Sequence, residues 1–320
     1  DPHTPYRAPA EMGNPFADSP MPEWITPEVF EKHKKHVGPH SVNELGMYWD
    51  TSPVGYPRQA GKASTIKELK DVIDNYDCDI LYMDSRIGKI IDYLKQNDFY
   101  DDCAIIVTSD HGENMGELGI YSEHGTADEI TTRIPMIIKW PGMRTGVDKG
   151  LHYSLDLLPT LAEIFGLPSY QYWDGKSYAP TLLKGADCGR EYLVVSQGSH
   201  VCQRSVRFDH YIYIHTYHDG YHLFPREMLF DLQNDYHEQY NLAATHPELC
   251  EKACRYLVNW LHDMMMTSRT DSDPMWTVIR EGGPYHAKGN LPQYCERLEK
   301  TGRKAGAEKL RKIHPEEFRH

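Results

Sequence analysis

Between residues 66 and 94 the apolar side chains Ile66, Leu69, Ile73, Tyr76, Ile80, Met83, Ile87, Ile90 and Leu94 recur in alternating steps of three and four. That spacing places them on one stripe of an α-helix of about eight turns. Thr65 and Glu68, three residues apart at its start, have the pattern of a capping box. A stripe this long demands a partner layer, and the chain supplies one immediately. After a polar break over residues 97–102, the run Cys103-Ala104-Ile105-Ile106-Val107-Thr108 reads as a short strand buried on both faces of a parallel sheet. A second run, Ile134-Pro135-Met136-Ile137-Ile138-Lys139-Trp140, is closed by the turn Pro141-Gly142. Helix, buried strand, loop and buried strand is the pattern of an α/β domain.

The flanking regions differ in texture. Residues 1–60 are punctuated by Pro2, Pro5, Pro9, Pro15, Pro20, Pro22, Pro27, Pro39, Pro53 and Pro57, which predicts irregular structure with short helices such as one over 27–36. A helix is expected over 156–165, with Pro159 near its start and Gly166 just past its end. Beyond the loop at 173–177, short β-prone runs at 192–196, 202–207, 211–214 and 228–232 read as an antiparallel sheet. A helix over 249–266 follows, with Leu257, Trp260, Leu261 and Met264 on one face. These readings place a boundary near residue 185: an α/β portion over 1–185, a small sheet-plus-helix unit over 186–270, and a polar tail over 271–320. The tail shows no clear period and turns basic between Arg303 and Arg319, so it is expected to wrap the surface or fray.

Composition narrows the function. The 320 residues carry 47 Asp plus Glu against 34 Lys plus Arg, and a net charge of −13 argues against non-specific nucleic-acid binding, which needs a basic footprint. No apolar run approaches the roughly 18 residues of a membrane span. The seven cysteines are irregularly spaced, with no CxxC pair, which disfavours a disulfide scaffold.

Three segments carry groups suited to chemistry. Ser109-Asp110-His111-Gly112-Glu113 lies where the first buried strand runs out into a loop, the position of ligand sites in open α/β sheets. A carboxylate beside an imidazole there can hold a divalent cation, although a simple turn would use the same residues. His124, between the two strands, falls on the same rim and can contact an anionic oxygen, while Arg133 is expected to pair with Glu129 or anchor the second strand. His3, between Pro2 and Pro5, is a candidate proton donor to a leaving group. Each has an ordinary structural alternative.

In this order the segments resemble the formylglycine-dependent type I sulfatases of the alkaline phosphatase superfamily. The resemblance rests on His3-Thr4-Pro5-Tyr6, the long helix, Ser109-Asp110-His111-Gly112-Glu113, Glu123-His124-Gly125, Arg133-Ile134-Pro135 and Trp140-Pro141-Gly142. It continues through Ser154-Leu155-Asp156-Leu157-Leu158-Pro159-Thr160, Asp174-Gly175-Lys176-Ser177 and Met228-Leu229-Phe230-Asp231-Leu232, covering about residues 1–265. It implies a mixed, mostly parallel sheet sandwiched by helices, with a smaller C-terminal antiparallel sheet and helix. It also implies that Asp110 and His111 bind calcium, or another divalent ion such as Mg2+ or Mn2+, and that His3 contacts the sulfate or protonates the leaving oxygen. His124 occupies the slot where the family usually has Lys, nine residues before Arg133, so imidazole would touch the sulfate and activity would depend on pH. The expected substrate is a sulfated small molecule or glycan, with His200 and Arg204 as possible contacts at the pocket mouth.

One family feature is missing. The nucleophile sits in Cys/Ser-x-Pro-x-Arg, yet no cysteine here has Pro two positions on, and Ser272-Asp273-Pro274 continues without the Arg. The expectation is therefore that the chain starts mid-domain at Asp1, and that an N-terminal segment or chain of the same enzyme supplies the formylglycine. A phosphodiester or phosphonate hydrolase of the same superfamily, and a non-catalytic sulfatase-like binding subunit, are the alternatives.

Overall fold

The computed structural model describes residues 2–318 apart from 53, 57 and 58, so Asp1 and the Arg319 end of the basic stretch lie outside the described residues. In the Pro-rich opening segment, Pro27 in the first turn and Thr26 as N-cap set helix α1 (Pro27–His33), shorter than the expected 27–36. Helix α2 (Ile66–Gln96) begins as the capping box predicts: Thr65 Oγ1 accepts the Glu68 N–H at 3.2 Å, and Glu68 Oε2 accepts the Thr65 N–H at 3.2 Å. Only its first half is covered. Leu69, Val72 and Ile73 pack with Tyr6, Ile25, Phe30, Val42, Leu45 and Tyr121, whereas Ile80, Leu81, Ile90 and Tyr93 are exposed.

The two apolar runs form strand β1 (Ile105–Thr108) and, after β2 (Asn114–Met115), β3 (Tyr121–Glu123) and helix α3 (Glu129–Thr132), strand β4 (Met136–Lys139). Here the parallel expectation is corrected. β1 and β4 pair with each other antiparallel, Ile105 opposite Lys139 and Thr108 opposite Met136. A parallel pair needs a crossover of a dozen or more residues, usually helical. The intervening loop instead folds into the β2–β3 hairpin and one turn of helix, returning the chain alongside β1. Among the described residues this sheet has only these two strands, and Ile137 remains 64% exposed.

Helices α4 (Leu157–Ile164) and α5 (Ala179–Lys184) lead to a four-stranded antiparallel meander, β5 (Tyr192–Gln197), β6 (Cys202–Phe208), β7 (Tyr211–His218) and β8 (Glu227–Asp231). Period-2 alternation gives it two apolar faces. Val194, Val206, Phe208, Tyr213 and Leu229 pack on Cys250, Ala253 and Leu257 of helix α6 (Pro247–Thr267). Ile212, Ile214, Met228 and Phe230 face Leu118 from the β2–β3 connection. The meander thereby presses its second face against the loop that carries the candidate site.

The C-terminal segment is folded rather than frayed. After helix α7 (Pro274–Arg280), helices α8 (Leu291–Lys300) and α9 (Lys304–Ile313) bury Leu291, Tyr294, Cys295, Leu298, Ala307 and Leu310 against Tyr48 and Tyr221. Each helix has only ten residues, separated by Gly302, too short for its period to stand out in the sequence. All seven cysteines are free. No described helix is long and apolar enough to cross a membrane.

Candidate active site

β1 ends at Thr108, and its exit loop presents Asp110 with its side chain 88% exposed. Backbone hydrogen bonding within the loop holds the Asp110 carboxyl below the usual carboxylate range, slight burial opposes this, and His111 adds to it. His111 Nδ1 donates to the Gly112 carbonyl at 2.8 Å, which leaves Nε2 as its free donor atom, 3.8 Å from Asp110 Oδ2. Gly112 is required by close approach: a Cβ there would lie 1.9 Å from the Ile130 carbonyl oxygen, and the Gly112 N–H donates to Thr131 O at 2.9 Å. The loop is therefore pinned to α3.

His124 arrives from the end of β3, and its ring stacks on His111 with centroids 3.7 Å apart. Its Nδ1 is 3.5 Å from Glu113 Oε2 and 3.4 Å from Glu123 Oε1. Contact with Glu113 raises the His124 pKa above the ordinary histidine value; burial works against this and the Glu123 charge reinforces it. His3 completes the group, its ring 5.5 Å from His124 and 6.4 Å from His111. Its Nδ1 donates to Thr4 O at 2.6 Å, so Nε2 is available. Tyr6 anchors this segment: its buried ring packs edge-on to Tyr76, and its hydroxyl donates to Glu113 Oε1 at 2.6 Å. The structure thus gathers His3, Asp110, His111 and His124 onto one rim.

The two more distant candidates separate. His200, at the β5–β6 turn, lies beside this rim with Nε2 3.6 Å from Glu123 Oε1. Arg204 does not line a mouth: it is buried, its Nη2 donates to Asp273 Oδ1 at 2.6 Å, its Nε donates to Ser196 Oγ, and it lies over the Trp260 ring. Its charge is spent holding the C-terminal segment to β6. Arg133 pairs with Glu129 across 3.5 Å. Sequence reasoning missed Glu113, Glu123, Tyr6 and His40. The two glutamates adjoin the quoted motifs, but nothing in local spacing distinguishes them from solvated acids.

As a cation site, Asp110 and His111 offer one exposed carboxylate and, at His111 Nε2, one imidazole nitrogen not engaged with Gly112. That donor set fits part of a divalent coordination sphere, since calcium takes six to eight ligands, mostly oxygen.

The sulfatase family model matches residues 1–167, just over half of the chain. The chain belongs to the sulfatase family. A choline-sulfatase of Rhizobium meliloti is 29% identical over 248 residues, which are 76% of this chain and 44% of that protein. A multifunctional alkaline phosphatase superfamily protein of Trinickia caryophylli is 32% identical over 130 residues, 39% of this chain and 25% of that one. Among solved structures, a 2-O GAG sulfatase matches with a TM-score of 0.55 and 22% identity, over 70% of this chain and 50% of that chain. This sulfatase-family chain spans half or less of the length of these relatives. The fold is that of the superfamily, α/β with a small antiparallel sheet.

Proposed function

We propose that this chain carries the metal-binding and anion-binding part of a hydrolase that cleaves sulfate esters, acting on a sulfated carbohydrate. The observation that carries the reading is the convergence of His3, His111 and His124 beside the exposed Asp110 carboxylate, on a chain of the sulfatase family. Asp110 and His111 would hold a divalent cation, calcium by resemblance, whose charge stabilises ester oxygens as negative charge develops. His124, biased toward its charged form, binds a non-bridging oxygen of the anionic group. His3, with its Nδ1–H fixed on Thr4 O, acts as the imidazolium and gives its Nε2 proton to the departing alkoxide, becoming the neutral imidazole.

The nucleophile belongs to sequence outside these 320 residues. What supports that reading is an uncovered apolar surface: Ile90 and Tyr93 of α2 and Ile137 of β4 are each more than 60% exposed, a suitable seat for further sheet from an N-terminal segment or chain of the same enzyme. The carbohydrate part of the reading is an analogy of fold.

The test is sulfate release by the full-length enzyme from sulfated monosaccharides, alongside a phosphonate monoester and a phosphodiester. Chelation and Asp110→Asn should each abolish sulfate release. Robust phosphodiester or phosphonate cleavage without sulfatase activity would favour the second reading, which similarity to the multifunctional superfamily protein supports. No hydrolysis of any of these would leave a binding role and overturn the proposal.

A further inference from the structure

Behind the rim lies a second cluster, built from three segments far apart in the chain. His40 enters from the loop after α1, with its carbonyl accepting the Tyr121 N–H at 2.8 Å and its N–H donating to Met47 O at 3.0 Å. Those two bonds hold His40 beside β3 in a left-handed conformation, φ 56°. Glu123 ends β3, and its Oε1 accepts the His124 N–H at 2.8 Å. His200 approaches from the β5–β6 turn because residue 125 is glycine: a Cβ there would meet the His200 Cβ at 2.6 Å.

His40 Nε2 stands 2.9 Å from Glu123 Oε2, and His200 Nε2 stands 3.6 Å from Glu123 Oε1. One ligand atom from each of the three side chains falls within 4.8 Å of the others. The His40 side chain is only 9% exposed; among the described residues its Nδ1 has no hydrogen-bond partner, and its Nε2 faces the Glu123 carboxylate. A buried imidazole with so little hydrogen bonding keeps lone-pair capacity that a bound cation can use. In a tetrahedral zinc site, with bonds of about 2.0–2.1 Å, neighbouring donor atoms are about 3.3 Å apart. The two separations, each to a different oxygen of the Glu123 carboxylate, lie on either side of that value.

We propose that His40, Glu123 and His200 form a second cation site, for a zinc-class transition metal, separate from the Asp110–His111 pair. Two imidazoles and one carboxylate suit Zn2+ over Ca2+, which prefers oxygen ligands throughout. Three protein ligands leave a fourth position for water or an oxygen of the substrate. The ion would cross-link the loop after α1, the end of β3 and the β5–β6 turn, and so fix the backbone that positions His124. The inference stands apart from the sulfate-ester reading, because it concerns metal stoichiometry and not turnover.

The experiment is to strip the full-length protein with chelator, reload it with Co2+ or Zn2+ alone, and count bound metal while recording the visible d–d spectrum of the cobalt form. The expected result is one tightly bound equivalent with the intense absorption of tetrahedral cobalt, retained in Asp110→Asn and lost in His200→Asn and Glu123→Gln. His200 is the primary variant, and circular dichroism of each variant establishes that it is folded. Retention of the tetrahedral signal in folded His200→Asn and Glu123→Gln, or no such signal in the parent protein, overturns the proposal. If Glu123→Gln does not fold, His200→Asn decides alone. If neither folds, His40→Gln is read by the same spectrum.

Discussion

The imidazoles of His111 and His124 stack nearly parallel, 16° apart, with centroids at 3.7 Å, although thirteen positions separate them in sequence. His111 is oriented by Gly112, and His124 by Glu113 and Glu123, so the two rings have different tasks. Loss of the anion-binding ring should weaken transition-state stabilisation, where a single donor is worth about 10²–10³ in rate. His124→Ala is expected to lower kcat/KM of the full-length enzyme by about that factor. His210→Ala, a half-exposed imidazole in the β6–β7 turn, should leave it within about twofold. Equal small effects in steady-state kinetics would remove His124 from the site.

Gly112 is a second point of sensitivity. The Ile130 carbonyl oxygen leaves no room for a Cβ, and backbone cannot swing aside as a flexible side chain does. Gly112→Ala should therefore separate the Asp110–His111 loop from α3, at a cost of about 1–3 kcal/mol of stability, with weaker divalent-cation binding. Thermal unfolding and calcium titration check both, and an unchanged melting temperature would contradict the packing argument.

Glu44 anchors the C-terminal helices. Its fully buried carboxylate receives Arg303 through both terminal nitrogens, one of them at 3.0 Å to Oε2, and Arg297 Nε at 2.8 Å. Glu44→Ala leaves the buried Arg303 guanidinium unpaired, for which about 3–5 kcal/mol is expected. Urea unfolding measures the loss, and Arg303→Met combined with Glu44→Leu should recover much of it.

Stability should also depend on pH through His314, whose Nε2 donates to Asp219 Oδ1 at 2.7 Å in a buried pair joining the end of α9 to the turn after β7. Burial works to lower the His314 pKa, but Asp219 outweighs it and the value is raised above 6.5; Asp219 is in turn lowered below 3.8, His314 outweighing its burial. His218, Glu316 and Glu317 also face this pair. A raised histidine contributes stability that is complete below pH 6.5 and is lost as pH rises through the folded value. A lowered aspartate contributes above 3.8 and loses its contribution as pH falls through its own folded value. The pair is therefore most stabilising between about pH 4 and about pH 6.5. The difference in unfolding free energy between the parent and His314→Gln should be largest near pH 5.5 and shrink by pH 8.5. A difference independent of pH would show that His314 acts by packing alone.

Much of this was legible in the sequence. The capping box at Thr65 and Glu68, the four strands of the meander and helix α6 follow from periodicities that act within a few residues. The family, too, was readable from the order of short motifs. The stripe along α2 illustrates the limit: its period is right throughout, yet burial stops near Cys78. Periodicity states which face a helix offers and not what covers it. The antiparallel β1–β4 pairing was decided by the path of the loop, and the short periods of α8 and α9 acquired meaning only against Tyr48 and Tyr221.

The sequence by itself determined the long helix α2, the strands of the meander, helix α6 and the order of the motifs that carry His3, Asp110, His111 and His124. Tertiary structure alone decided that Arg204 turns away to Asp273 and that His40, Glu123 and His200 meet. The reason is physical. Helix and strand periods are set by backbone geometry between near neighbours, whereas the charge state and partners of a side chain are set by whatever distant segments desolvate it.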